Sequence, residues 1–167
     1  MPQIYLAKFR QRPLGIASAH WALFLPESFD TNGGPIQGAL FHARKELSNT
    51  QGSQRCTIQG EANYSLEPEF LLLSSPGLLD SYCLKDTNVT KEQLAQACTY
   101  ISQDRSFNLF TRNCQEWVKD VIDYLVVHRI INDAVYREME SRGYKTLKEE
   151  TADKSLSICA TSRRRQG

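Results

Sequence analysis

The chain has 167 residues and a mass of 19.0 kDa, a size that suits one domain, and 41% hydrophobic residues are enough for a buried core. Its 20 Lys and Arg residues against 19 Asp and Glu residues leave a net charge of +1, which excludes a strong overall field for nucleic acid or an anionic membrane. No stretch approaches the roughly 18 apolar residues of a membrane span, and the N-terminus lacks the apolar core of a secretion signal. We therefore expect a cytoplasmic protein with no integral membrane association and no nucleic-acid partner.

The first part of the chain predicts a hairpin of buried strands. Residues 4–9 form a short strand, and residues 16–25 are apolar on both faces, which favours a strand that is covered on two sides. Residues 26–35 are rich in Pro, Gly, Asn and Asp and predict a loop. Residues 38–44 then predict the returning strand.

Two of the chain's three histidines lie on this hairpin, His20 on the first strand and His42 on the second. If antiparallel pairing is centred on Thr31, the two residues face each other with their Cβ atoms roughly 5 Å apart. A slip of one residue would place the imidazoles on opposite faces of the sheet.

The middle of the chain gives weaker patterns. Residues 47–65 are polar and irregular, apart from a candidate strand over 56–59, and residues 70–73 form a short apolar run that predicts another strand.

Three helices follow. A capping-box pattern at Thr90 begins a helix over 91–103. The next helix begins at Cys114 and has a continuous apolar stripe at helical spacing. Asn132 is the expected N-cap of a last short helix, and Gly143 is placed to end it. The apolar stripe of the second helix consists of Trp117, Val118, Val121, Ile122, Leu125 and Val126.

The order of these elements predicts an α+β fold in which a small antiparallel sheet packs on helices. We expect one catalytic-type domain over residues 1–144 and a polar, mobile tail over 145–167.

The five cysteines are an odd set without a Cys-x-x-Cys pair, which argues against a disulfide framework and against a zinc site. We expect no metal and no cofactor. The cysteines are Cys56, Cys83, Cys98, Cys114 and Cys159.

Cys114 and the two histidines form a candidate catalytic set. A helix N-terminus lowers the pKa of a thiol, so Cys114 is placed to act as a nucleophile, with His20 as base and His42 as the residue that orients it. The alternatives are structural: Cys114 as a small apolar filler, His20 as a core histidine and His42 as a half-exposed strand residue.

Three neighbouring residues are weaker site candidates. An oxyanion would be met by the main-chain N–H of Cys114, with help from the side chain of Asn113 or Gln115. Trp21 could form a wall of the site, although tryptophan more often belongs to the core.

Three segments share motifs with a known family: His20-Trp21-Ala22-Leu23-Phe24, Leu40-Phe41-His42 and the run from Asn108 to Cys114. Together they resemble the lecithin:retinol acyltransferase family of circularly permuted, papain-like (NlpC-type) cysteine enzymes. That family has H-W-A-I-Y, a second histidine on the next strand, and N-L-x-T-x-N-C-E-H-F. The resemblance implies a permuted papain-like fold, with His20 as base, His42 as third member and Cys114 as the nucleophile that is transiently acylated. The chain also resembles a group of short fungal proteins with H-W-A-L-F and C-Q-E-W.

The sequence therefore predicts acyl transfer or hydrolysis of an amide, ester or thioester through an acyl-enzyme on Cys114. The substrate would be a small acyl compound or a peptide-like molecule. One alternative is an isopeptidase that acts on ubiquitin-like conjugates, and another is a non-catalytic ligand-binding or interaction domain of the same fold. The oligomeric state does not follow from the sequence.

Overall fold

The computed structural model of the protein describes residues 3–10, 19–45, 59–85, 87–103, 106–108, 113–146, 149 and 152.

The described chain forms an antiparallel sheet with three helices, as the sequence predicts for an α+β fold. The strands lie in the order β5-β1-β2-β3-β4-β6, and each neighbouring pair is antiparallel. The strands are β1 (Tyr5–Phe9), β2 (His20–Phe29), β3 (Pro35–Lys45), β4 (Gln59–Leu71), β5 (Leu78–Cys83) and β6 (Ser106–Asn108). The helices are α1 (Lys91–Ser102), α2 (Cys114–Val127) and α3 (Ala134–Ser141).

The β2–β3 hairpin is longer than predicted. The loop expected over 26–35 is a tight turn, because β2 continues to Phe29 and β3 begins at Pro35. The carboxylate of Asp30 closes this turn by accepting from the N–H groups of Asn32 and Gly34 at 2.8 and 2.7 Å.

The later strands differ more from the prediction. The apolar run at 70–73 is not a separate strand, because β4 is a long strand that begins at Gln59 and ends at Leu71. Strands β5 and β6 were not predicted. Long-range pairing explains these elements, since β4 bonds to β3 and β6, while β5 bonds to β1. Most of the candidate strand at 56–59 lies outside the described residues.

Two hydrophobic clusters lie on opposite faces of the sheet because side chains alternate along each strand. The first cluster joins Trp21, Leu23 and Phe41 to the buried faces of α1 and α2. The second cluster contains Ala22, Phe24 and Leu40, among others, and Phe9 and Phe70 pack against it.

The register of the hairpin differs from the prediction. The structure pairs Leu23 with Phe41 and Leu25 with Ala39, so pairing is not centred on Thr31 and His20 does not face His42 directly. The shift is two residues along β3. A two-residue shift leaves every side chain on its predicted face, because side chains alternate with a period of two.

The helices begin close to the predicted positions. The capping box at Thr90 is confirmed, with Gln93 as its second member. Helix α3 has Asp133 as N-cap instead of Asn132, although the side chain of Asn132 accepts from the N–H of Ala134 at 2.8 Å. No helix in the described ranges is long and apolar enough to span a bilayer.

The chain continues to pack beyond residue 144. Thr146 is fully buried, and Glu149 forms an ion pair with Lys119 of α2. The predicted mobile tail over 145–167 falls mainly outside the described residues.

Candidate active site

The two predicted imidazoles are hydrogen-bonded to each other. Nε2 of His20 lies 2.9 Å from Nδ1 of His42, and the rings meet edge to face with their centroids 5.2 Å apart. His42 is buried with 4% of its surface exposed, and His20 is half-buried. The rings meet across adjacent strands because diagonal neighbours on one face are within reach of long side chains.

A carboxylate that the sequence did not single out joins this pair. Oε1 of Glu67 on β4 lies 3.1 Å from Nε2 of His42, so a chain of hydrogen bonds crosses three strands. The Glu67 side chain is 31% exposed. Nothing in the local sequence distinguishes Glu67 from other acidic residues, since its contact depends on the long-range register of β3 with β4.

Cys114 is the first residue of α2, as predicted, and its thiol lies at the beginning of β2. The main-chain N–H groups of Trp21, Cys114 and Gln115 act to lower the pKa of the thiol. Burial nevertheless raises the pKa of Cys114, because only 5% of the residue is exposed and a thiolate is poorly solvated there. The expectation of a lowered thiol pKa is therefore wrong for this structure: the amides at the helix start act in that direction, but burial outweighs them.

The two polar neighbours of Cys114 hold the start of α2 in place. The side chain of Asn113 caps the helix, since its Oδ1 accepts from the N–H groups of Gln115 and Glu116 at 2.9 and 3.1 Å. Nε2 of Gln115 donates to the carbonyl of Ala19 at 2.9 Å, the residue before His20. The predicted contribution of these side chains to an oxyanion site stays a prediction.

Trp21 belongs to the core. Its side chain is 1% exposed and lies in the first hydrophobic cluster, with its ring edge to face against Tyr144. The amino group of Lys8 lies over the rings of Tyr144 and Trp21, at 3.6 and 5.7 Å from their centroids.

The thiol and the imidazoles approach the beginning of β2 from different faces of the sheet. Cys114 packs in the first cluster. His20 alternates with Trp21, and its ring contacts Phe9 on the second face. The structure therefore brings the two imidazoles together but places the thiol on the other face of the sheet.

The remaining thiols lie away from the histidine pair. Cys98 is buried in α1, where burial raises its pKa, and Cys83 on β5 is half-buried. Cys56 and Cys159 lie outside the described residues.

The predicted site residues belong neither to a metal site nor to the cavity beside α3 in the described part of the chain. No group of three or more His, Cys, Asp or Glu residues in the described ranges is arranged to hold a metal ion. A cavity of about 360 Å³ lies between α2, α3 and the segment after α3. None of the predicted site residues lines it, since its walls are Lys119, Tyr136, Met139, Glu140, Tyr144, Lys145 and Glu149.

Comparison with known proteins identifies a family without a described activity. No curated protein and no solved structure gives a significant match to this chain. A family model described as a family of unknown function, DUF6540, matches residues 4–132, which include the histidine pair and Cys114. The chain therefore belongs to the DUF6540 family.

Proposed function

We propose that the protein catalyses acyl transfer or hydrolysis through a thioester on Cys114, with His20 as base and His42 as its orienting partner. The observation that carries the proposal is the 2.9 Å bond between Nε2 of His20 and Nδ1 of His42. This bond engages Nε2 of His20, so the scheme assigns proton exchange with the thiol to Nδ1. The main-chain N–H of Trp21, the residue that follows His20, is among the groups that act on the pKa of Cys114.

The reaction would proceed in two steps. The thiol proton of Cys114 passes to Nδ1 of His20 while the sulfur bonds to the substrate carbonyl, and the leaving group departs with that proton. Water or an amine then attacks the thioester and gives its proton to His20, and the sulfur leaves and recovers a proton from the imidazole. The main-chain N–H of Cys114, at the positive end of α2, would face the charge that develops on the carbonyl oxygen.

A protonated resting thiol fits this scheme. Burial raises the pKa of Cys114, so the sulfur would carry its proton until a substrate is bound. A neighbouring base is then required, because the thiol is the weaker nucleophile. The ring and the thiol begin on different faces of the sheet, so this step would require the sulfur to move toward His20.

The same arrangement supports a circularly permuted papain-like fold as part of the proposal. The base and its partner lie on adjacent antiparallel strands, and the cysteine opens a helix that packs against those strands. In chain order both histidines precede the cysteine, the reverse of papain, where the cysteine comes first.

A second candidate function is a ligand-binding domain without chemistry. The 5% exposure of Cys114 and its raised pKa favour this alternative, since both protect the thiol from reaction.

Intact-mass spectrometry after incubation with short acyl thioesters distinguishes the acyl-transfer enzyme from the ligand-binding domain. Acyl transfer predicts an adduct of one acyl group that maps to Cys114 and that hydroxylamine removes. The adduct should disappear in Cys114→Ala and form at least about tenfold more slowly in His20→Ala. Cys83→Ser is the matched control, because this half-buried thiol lies on β5, and it should leave the adduct unchanged. Equal acylation of several cysteines, or an adduct that is independent of His20, would favour the binding domain.

A further inference from the structure

We propose that the cavity between α2, α3 and the segment after α3 binds a small carboxylate with an apolar body, and that Glu149 of the same chain competes with this ligand for Lys119. In the bound state the ligand carboxylate would replace that of Glu149. The inference goes beyond the proposed function and does not depend on the chemistry of Cys114.

The cavity has the size and the apolar lining that a small organic molecule needs. Its volume is about 360 Å³, within the range of natural small-molecule sites. Met139 of α3 and Tyr144 line it, and each is only 4% exposed. Tyr136 of α3, another wall, lies nearer the surface at 37% exposure. Two rings and a thioether therefore surround the space that the body of a ligand would fill.

The two tyrosine rings are held in place by contacts with other parts of the chain. The hydroxyl of Tyr144 donates to the carboxylate of Asp80 at 2.8 Å, and the ammonium group of Lys8 lies 3.6 Å from the centre of the same ring. The hydroxyl of Tyr136 donates to the carboxylate of Asp123 at 2.6 Å. Binding therefore costs little side-chain entropy, because the rings do not have to be ordered by the ligand.

The charged end of the cavity already holds a carboxylate, that of Glu149. Its Oε1 accepts from Nζ of Lys119, and its Oε2 accepts from the main-chain N–H of Thr146 at 2.8 Å. Burial acts to raise the pKa of Glu149, but the bonds from Lys119 and Thr146 outweigh burial and lower the pKa, so the group stays ionised. A cation and a main-chain amide are donors that suit any carboxylate of this size.

Lys119 is the fixed member of this ion pair, and Glu149 is the member that a ligand can replace. Lys119 lies inside α2 with its side chain 28% exposed, whereas the side chain of Glu149 is 42% exposed. A partly exposed ion pair adds little stability, so a ligand carboxylate can compete with it. The other charged walls are Lys119, Lys145 and Glu140. Their net positive charge favours an anionic ligand over a cationic one.

The variant Glu149→Gln separates two roles of this residue. Thr146 and Glu149 also form a reciprocal cap, because the N–H of Glu149 donates to Oγ1 of Thr146 at 3.3 Å. Glutamine serves in the same type of cap, so Glu149→Gln retains the cap and removes the charge beside Lys119. Glu140→Gln is the matched control, since it removes the same charge from another wall of the cavity.

The test is a titration with phenylacetate, followed by NMR of protein labelled with ¹³C in the methionine methyl groups. The chain has two methionines, Met1 and Met139, so Met139→Leu assigns the cavity signal. Phenylacetate should shift the Met139 signal. Its affinity should rise about threefold in Glu149→Gln, because a competing, partly exposed ion pair is removed. In Glu140→Gln the affinity should change by at most about 1.5-fold, because the ion pair with Lys119 remains.

Variants of Lys119 test the other half of the inference. Lys119→Met should lower the affinity for phenylacetate at least about fivefold and leave that for uncharged phenylethanol unchanged. In the Lys119→Met background, Glu149→Gln should no longer tighten binding.

Three results would overturn the inference: phenylacetate binding that Lys119→Met does not weaken, equal tightening by Glu149→Gln and Glu140→Gln, or no saturable shift of Met139 in Glu149→Gln. Far-UV circular dichroism identifies a variant that fails to fold. If Lys119→Met does not fold, the comparison of Glu149→Gln with Glu140→Gln decides.

Discussion

The side-chain amide of Gln115 donates to the main-chain carbonyl of Ala19 across 2.9 Å. This bond joins the first turn of α2, which bears Cys114, to the residue before His20. Its partners are 96 positions apart in the sequence. The bond thus directly connects the two segments that the proposed thiol chemistry involves, and Gln115 is 4% exposed, so water cannot easily replace it.

Replacing Gln115 with leucine should destabilise the protein by about 1–3 kcal/mol, because the carbonyl of Ala19 loses a buried donor. It should also change the alkylation rate of Cys114. Urea unfolding and mass-resolved labelling measure the two effects. Gln96→Leu is the matched control on the exposed side of α1, with an expected change within about 0.5 kcal/mol. Equal effects at the two positions would contradict a positioning role for Gln115.

The two helix caps should differ in strength. Asn113 accepts from two main-chain N–H groups and is 5% exposed, whereas the side chain of Thr90 accepts from the N–H of Gln93 at an exposed site. We expect Asn113→Ala to cost about 2 kcal/mol and Thr90→Ala about 1 kcal/mol. Urea midpoints of the two variants provide the comparison. A larger loss of stability in Thr90→Ala than in Asn113→Ala would contradict this prediction.

The raised pKa of Cys114 predicts a pH effect on stability. A group whose pKa is higher in the folded state stabilises the fold fully below its unfolded value, about 8.5 for cysteine, and this contribution is lost as the pH rises through the folded pKa. From pH 7 to 9.5, wild type should lose about 1 kcal/mol more stability than Cys114→Ala. Burial also raises the pKa of Cys98. Because Cys114→Ala retains Cys98, the difference between the two proteins reports on Cys114. Parallel losses in both proteins would refute a raised thiol pKa at position 114.

Gly38 allows β2 and β3 to approach closely. A Cβ atom at this position would lie 2.1 Å from the carbonyl oxygen of Leu25 and 2.7 Å from Cα of Pro26, both main-chain atoms that cannot move alone. Gly38→Ala should therefore destabilise the protein by more than about 2 kcal/mol and disturb the contact between His20 and His42. Thermal unfolding and the ring signals of the histidines give the two readouts.

Gly33 in the β2–β3 turn provides the control for this prediction. Its φ is +80°, but a Cβ atom there has no neighbour within 4 Å. Gly33→Ala should cost only about 1 kcal/mol through backbone strain and leave the histidine rings in contact. A Gly38→Ala variant as stable as Gly33→Ala would contradict the close approach.

Local sequence patterns correctly predicted the elements whose formation depends on residues close together in the sequence. The apolar stripe after Cys114 predicted α2, and Asn113 caps it. The alternation along two strands placed His20 and His42 on one face, and this held although the predicted register was wrong by two residues. Periodicity is a property of the local backbone, so it survives an error in the pairing of distant segments.

Tertiary structure alone decided the remaining features of the site. Glu67 joins His42 because a bulge in β4 redirects its side chain, and no local pattern marks that bulge. The upward shift of the Cys114 pKa follows from packing in the first cluster, whereas the position of the thiol at a helix start predicted the opposite. Both features depend on which distant segments pack together, since burial and long-range register arise only once the whole chain has folded.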